Sequence, residues 1–121
     1  MYSRLDATNE VISISGEYYT AMLDADEAKL NALFHPRAVI VGNFEGALEF
    51  SDLDSFLEGV SDAKTGDRPF NYHVDGTTMV GDTAVVTVSG YCYGTQFTDH
   101  LSMVKVDGRW LIVAKIFYAH P

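Results

Sequence analysis

The residues of this chain best suited to chemistry are Tyr18, His100 and Lys115, a phenol, an imidazole and a primary amine. His100 and Lys115 lie on the two arms of FTDHLSMVKVDGRWLIVAKIFYAH, from Phe97 to His120, which reads as two strands joined by an Asp107-Gly108 turn. If Val106 pairs with Arg109, then Lys105 faces Trp110, Met103 faces Ile112, His100 faces Lys115 and Thr98 faces Phe117, and directly paired residues share a sheet face. That register puts Thr98, His100, Ser102, Val104, Leu111, Val113, Lys115 and Phe117 together, an apolar lining with a few polar groups set into it. Such a lining has the makeup of a pocket wall. Side by side on it, His100 or Lys115 could serve as a base or as an anion clamp; the plainer reading is that one of them reaches the rim and is solvated.

The opposite face carries Phe97, Asp99, Leu101, Met103, Trp110, Ile112, Ala114, Ile116 and Tyr118, so Asp99 stands alone among apolar neighbours. A lone carboxylate there needs a partner, such as a backbone amide, Lys105 or a group on another subunit, and a structural or dimer role is expected for it. Neither face is plainly a solvent face. Both are therefore expected to be covered, one by helices and the other by a partner. The four histidines, at 35, 73, 100 and 120, show no i, i+4 pairing, so no metal site and no cofactor is expected. No nucleophile elbow, phosphate loop or dinucleotide fingerprint occurs. His35 reads as a helix-ending residue, and Cys92 as a buried, inert thiol.

Local patterns supply the elements that hold these residues. From about Asp6 to Leu23, Val11, Ile14, Tyr18 and Met22 recur at helical spacing, widened by Ile12, Tyr19 and Leu23, so Tyr18 faces the interior. Its bland role is that of a core tyrosine. A short second helix follows, capped by Asp24 or Asp26 and buried through Leu30, Leu33 and Phe34, with His35-Pro36 ending it ahead of a strand at Ala38 to Val41. Asn43 to Gly46 is turn-like, and Ala47 to Phe50 suits a short strand. Ser51 then opens a third helix that buries Leu53, Phe56, Leu57 and Val60. Ser61 to Pro69 is the best candidate for a mobile, lid-like loop. Strands at about Asn71 to Val80 and Thr83 to Tyr93 precede the C-terminal ribbon. The class is α+β, a curved sheet around a helix, enclosing a cone whose interior need not be filled.

The chain has 121 residues, the length of one domain with a real core. Seventeen acidic against eight basic residues give a formal charge of -9, with no basic cluster. That balance disfavours nucleic acid and anionic membrane surfaces. A single cysteine fits a reducing compartment, the start has no secretory pattern, and no run approaches a bilayer span, so a cytoplasmic protein is expected.

Taken together, Tyr18-Tyr19 with Asp24-Ala25-Asp26, Leu33-Phe34-His35-Pro36, Ser51 leading the third helix, and FTDHLSMVKVDGRWLIVAKIF resemble the NTF2-like superfamily. The resemblance covers about Val11 to Phe117. It is closest to the putative lumazine-binding and SnoaL-like group, and implies a cystatin-like cone of three N-terminal helices on a mostly antiparallel sheet. Set against the ketosteroid isomerases of that superfamily, Tyr18 falls where their helix-1 tyrosine stabilises an oxyanion, whereas their catalytic base falls on Gly42. Glycine cannot abstract a proton, so that mechanism is not implied.

The leading expectation is a small-molecule-binding cone domain holding a modest organic ligand among Tyr18, His100, Ser102, Val113, Lys115 and Phe117. An acid-base enzyme, such as an isomerase, dehydratase or cyclase, would use His100 or Lys115 as base and Tyr18 as oxyanion donor in the same pocket. A protein-interaction module would use the sheet face instead. A homodimer through that face is expected on the doubly apolar ribbon and on the resemblance.

Overall fold

The computed structural model describes residues 2–62, 71–92 and 94–121, the side chains of Ser61, Asp62 and Cys92 excepted. The loop expected from Ser61 to Pro69 begins inside the third helix and otherwise lies outside the described residues, as does the Cys92 thiol. Three helices, α1 (Arg4–Asp24), α2 (Glu27–Leu33) and α3 (Leu53–Asp62), accompany six strands. These are β1 (Phe34–Phe44), β2 (Ala47–Asp52), β3 (Asn71–Val80), β4 (Thr83–Cys92), β5 (Thr95–Val106) and β6 (Arg109–Ala119). They form one open sheet in the order β2-β1-β6-β5-β4-β3. Every neighbouring pair is antiparallel except β1 with β6. The α1 helix packs on β3 and β4, α3 packs on β1 and β2, and α2 touches α1, α3 and β1, so the helices cover one face of the sheet.

Each helix starts where a side chain can satisfy its first free N–H groups. Ser3 and Asp6 form a reciprocal capping box on α1, and Asp26 accepts from the Lys29 N–H to cap α2. The expected Ser51 start of α3 is corrected by two residues. Ser51 stays in β2, and Asp52 Oδ1 accepts from the Ser55 N–H at 2.9 Å as the cap. That hydrogen bond holds the Asp52 carboxyl below its usual carboxylate value. His35-Pro36 does end α2, but the strand begins at once with Phe34, and the β1–β6 register shifts between Phe34 and Val39 to absorb the proline. His35 is accordingly not a cap for the helix carbonyls: its Nδ1 accepts from the Arg37 N–H at 3.0 Å.

The core lies between α1 and the sheet. Val11, Tyr18 and Tyr19 from the helix meet Val86 and Val88 of β4, Leu101 and Met103 of β5, and Ile112 of β6, all at 1% exposure or less. The expected stripe on α1 is realised except at Ile12, which is exposed at its edge. Ser15 is buried within the stripe because its hydroxyl donates to the Val11 carbonyl at 3.0 Å.

The C-terminal ribbon turns at Asp107 and Gly108, both at positive φ, as a two-residue hairpin loop requires. The expected pairing holds from Val106–Arg109 to Met103–Ile112. Beyond it β6 carries one extra residue, Val113, and the next pairs are Ser102–Ala114, Leu101–Lys115, His100–Ile116, Asp99–Phe117 and Thr98–Tyr118. The expected His100–Lys115 and Thr98–Phe117 pairs therefore do not form. A bulge of one residue sends every later side chain of that strand to the other face, because strand side chains alternate with a period of two. Lys115, Phe117 and Ala119 turn inward, and Ile116 and Tyr118 turn outward.

Candidate functional site

The bulge at Val113 puts Lys115 into the interior. Its side chain is only 6% exposed, and Nζ lies over three aromatic rings, 4.8 Å from the centroid of Phe56 and 5.3 Å from those of Tyr18 and Phe117. Among the described residues no carboxylate forms an ion pair with it; the ion pairs there are Lys29–Glu17 and His73–Asp75. A buried ammonium is ordinarily paired. Here its nearest support is the negative faces of three π-systems, which stabilise a cation by about 0.5–2 kcal/mol each without consuming its hydrogen-bond donors.

Lys115 and Phe117 line a recess of about 240 Å³ bounded by α1, α3, β1, β2 and the ribbon. Its apolar wall comes from Met22, Ile40, Phe44, Phe56, Val60, Phe97 and Phe117, and polar groups come from Lys115, Ser51, Ser55 and Glu49. Each element earns its place locally. The i, i+4 spacing of Phe56 and Val60 directs one face of α3 inward, and the parallel pairing of β1 with β6 sets Ile40 beside Lys115 and Gly42 beside Phe117.

Gly42 is glycine for a steric reason. A Cβ there would lie 2.5 Å from Cγ and Cδ1 of the Phe117 ring, so this ring occupies the space that any side chain on Gly42 would need. The position that the isomerase resemblance assigns to a catalytic base is thus closed by Phe117. Gly42 lies within β1, and Gly90 of β4 likewise makes room for a ring, that of Tyr19, 2.5 Å from where its Cβ would be.

Of the expected site residues, the structure brings Tyr18, Lys115 and Phe117 together and leaves His100, Ser102 and Val113 elsewhere. Tyr18 is fully buried beneath Lys115, its ring edge-on to Tyr19 and Phe34. His100 is exposed on the outer face, with Thr87 Oγ1 3.1 Å from its Nδ1. Ser102 lies on the same outer face, and Val113 is the bulge itself. Asp99 instead faces inward at 2% exposure, where its Oδ2 accepts a 2.8 Å hydrogen bond from the Tyr19 hydroxyl; its Oδ1 has no partner among the described residues. The partner found for Asp99 is thus a helix phenol, which was not among those expected; Lys105, which was, has its Nζ over the Tyr2 ring at 3.6 Å.

Phe44, Phe56 and Phe97 belong to the recess but not to the expected site. Phe56 was legible as an inward position on α3; nothing in the sequence tied it to the ribbon. A larger hollow, about 860 Å³, lies at the end of the sheet among Asn43 to Gly46, Gly94 to Gln96 and Tyr118 to Pro121. Its titratable side chains Glu45, Tyr91, Tyr118 and His120 are not buried, whereas the recess holds the buried Lys115. No described helix is long and apolar enough to cross a membrane.

Comparison with known proteins agrees with this architecture. Residues 6–118 match the family model described as putative lumazine-binding. The chain is 31% identical over 113 residues to the aldolase FrzH of a Cladobotryum species, covering 92% of this chain and 90% of that one. An NTF2-like protein of unknown function from Silicibacter pomeroyi superposes with a TM-score of 0.92 at 24% identity, covering 98% of this chain and 99% of that one. Another from Shewanella baltica gives 0.90 at 20% identity, covering 98% of each. Cystatin-like folds are also among the similar structures.

Proposed function

Since the chain belongs to the putative lumazine-binding family of the NTF2-like superfamily, we propose that it binds a modest, largely apolar organic molecule in the cone recess, with an acceptor oxygen on Lys115 Nζ. One observation carries this reading: the buried Lys115 Nζ lines the recess with aromatic faces on several sides and no carboxylate paired to it among the described residues. An ammonium has three donors and accepts nothing, so a ligand carboxylate or carbonyl supplies what the protein does not. At about 240 Å³ the recess is smaller than a drug-sized pocket, which points to fragment-sized ligands. A suitable probe is 3-phenylpropanoate, whose ring suits the phenylalanine wall and whose carboxylate suits Nζ. Titration calorimetry of the Lys115→Met variant, which keeps the stem and removes the charge, should show affinity for this probe at least about tenfold weaker. Equal affinity of variant and parent would remove Lys115 from the site.

A second reading, acid-base catalysis on such a ligand with Lys115 as base, is favoured by the name aldolase borne by the 31%-identical relative; Tyr18, fully buried, does not line the recess and is not placed as its oxyanion donor. The structure's outer sheet face supports a further element, a homodimer. Val39, Phe50, Val85, Ile116 and Tyr118 are exposed there, a larger apolar surface than scattered single residues would make. Sedimentation velocity should find a dimer that Ile116→Glu converts to monomer, and a monomeric parent would exclude it.

A further inference from the structure

We propose that Lys115 is an imine-forming lysine whose Nζ condenses with a small aldehyde or ketone held in the recess; this rests on the ligand-binding reading above. Lys115 is the one buried lysine among the described residues. Lys29 is exposed and ion-paired to Glu17 at 2.6 Å, and Lys105 lies over Tyr2. A lysine buried among aromatic rings with no carboxylate paired to it is a recurring nucleophile toward carbonyl carbon.

The free-amine form attacks the carbonyl carbon. The C=O π pair moves to oxygen, giving a carbinolamine once that oxygen takes up the proton the nitrogen releases. A second proton on the same oxygen lets it leave as water while the nitrogen lone pair forms the C=N bond. Counted from the ammonium, R–NH3+ and O=CR2 become R–NH+=CR2 and H2O, so no oxidant or further reactant enters. The Ser51 and Ser55 hydroxyls line the same recess and can relay these protons. The phenylalanine wall selects carbonyl compounds with an apolar substituent. Once formed, the iminium draws electrons from the adjacent C–H bond, which is the activation that carbon–carbon bond formation and cleavage next to a carbonyl require.

The test uses the whole protein, 3-phenylpropanal and sodium cyanoborohydride, which reduces an iminium to a stable secondary amine that peptide mass spectrometry assigns to each lysine. Lys115 should be modified at least about tenfold faster than Lys29 and Lys105, and 3-phenylpropan-1-ol, which cannot condense, should slow it by competition. In denaturing urea the difference should vanish, and Lys115→Arg should lose the fast adduct while Lys29 and Lys105 react as before. Modification of Lys115 no faster than of Lys29 and Lys105 in the folded protein overturns the inference. If 3-phenylpropanoate still binds in a Lys115-dependent way, only the imine step falls; if it does not, the binding reading falls too.

Discussion

Gly42→Asp, which would place a carboxylate at the position that the isomerase resemblance assigns to a catalytic base, should destabilise the protein by about 3 kcal/mol and lower its melting temperature by roughly 10 °C. The cause is crowding and not charge. The new Cβ would meet both the ring and the backbone carbonyl of Phe117, and backbone paired in a parallel ladder cannot withdraw as a flexible side chain can. Gly42→Ala should therefore lose most of the same stability, although it adds only a methyl group. Thermal denaturation followed by circular dichroism checks both. An alanine variant that melts within about 2 °C of the parent would show that Phe117 does not hold this position closed.

Tyr19→Phe should cost about 2 kcal/mol in urea denaturation, the value of a hydrogen bond to a buried carboxyl group. The ring itself is retained, stacked on Tyr72 at 5.1 Å and set against Gly90, so the packing changes little. What changes is Asp99. Its Oδ1 already has no partner among the described residues, and loss of the Tyr19 donor would strip Oδ2 as well. Asp99→Leu added to Tyr19→Phe should recover much of the loss, since replacing both members of a buried polar pair by apolar groups of similar shape can be nearly neutral. Equal stability of Tyr19→Phe and parent would mean that the 2.8 Å hydrogen bond contributes nothing. A double variant worse than the single one would mean that Asp99 has another essential partner.

The elements were legible in the sequence because their signals are local. Helical spacing in α1, the Asp107-Gly108 turn, and the bounds of β3 all follow from residues within a few positions of one another. Part of the candidate site is legible for the same reason: Tyr18 sits on a periodic stripe, and Lys115 and Phe117 share a face. The rest depended on one residue. Trp110 to Ala114 is an unbroken apolar run, so no polar side chain marks where alternation slips, and the Val113 bulge is fixed by contacts across the sheet that the run does not encode. Carrying the hairpin register past that point paired Lys115 with His100, when its cross-strand neighbour is Leu101. It also hid that Asp99 and Lys115 face the same interior. The aromatic cage was out of reach because Phe56, Tyr18 and Phe117 come from three elements far apart in the chain.

A crystal of the protein soaked with 3-phenylpropanoate tests whether the recess beside Lys115 holds ligand. The probe should lie between α3 and the ribbon, its ring against Phe56, Phe97 and Phe117 and a carboxylate oxygen within about 3 Å of Lys115 Nζ. Density for the probe at the outer-face His100 or in the hollow at the end of the sheet, with the recess empty, would contradict this placement.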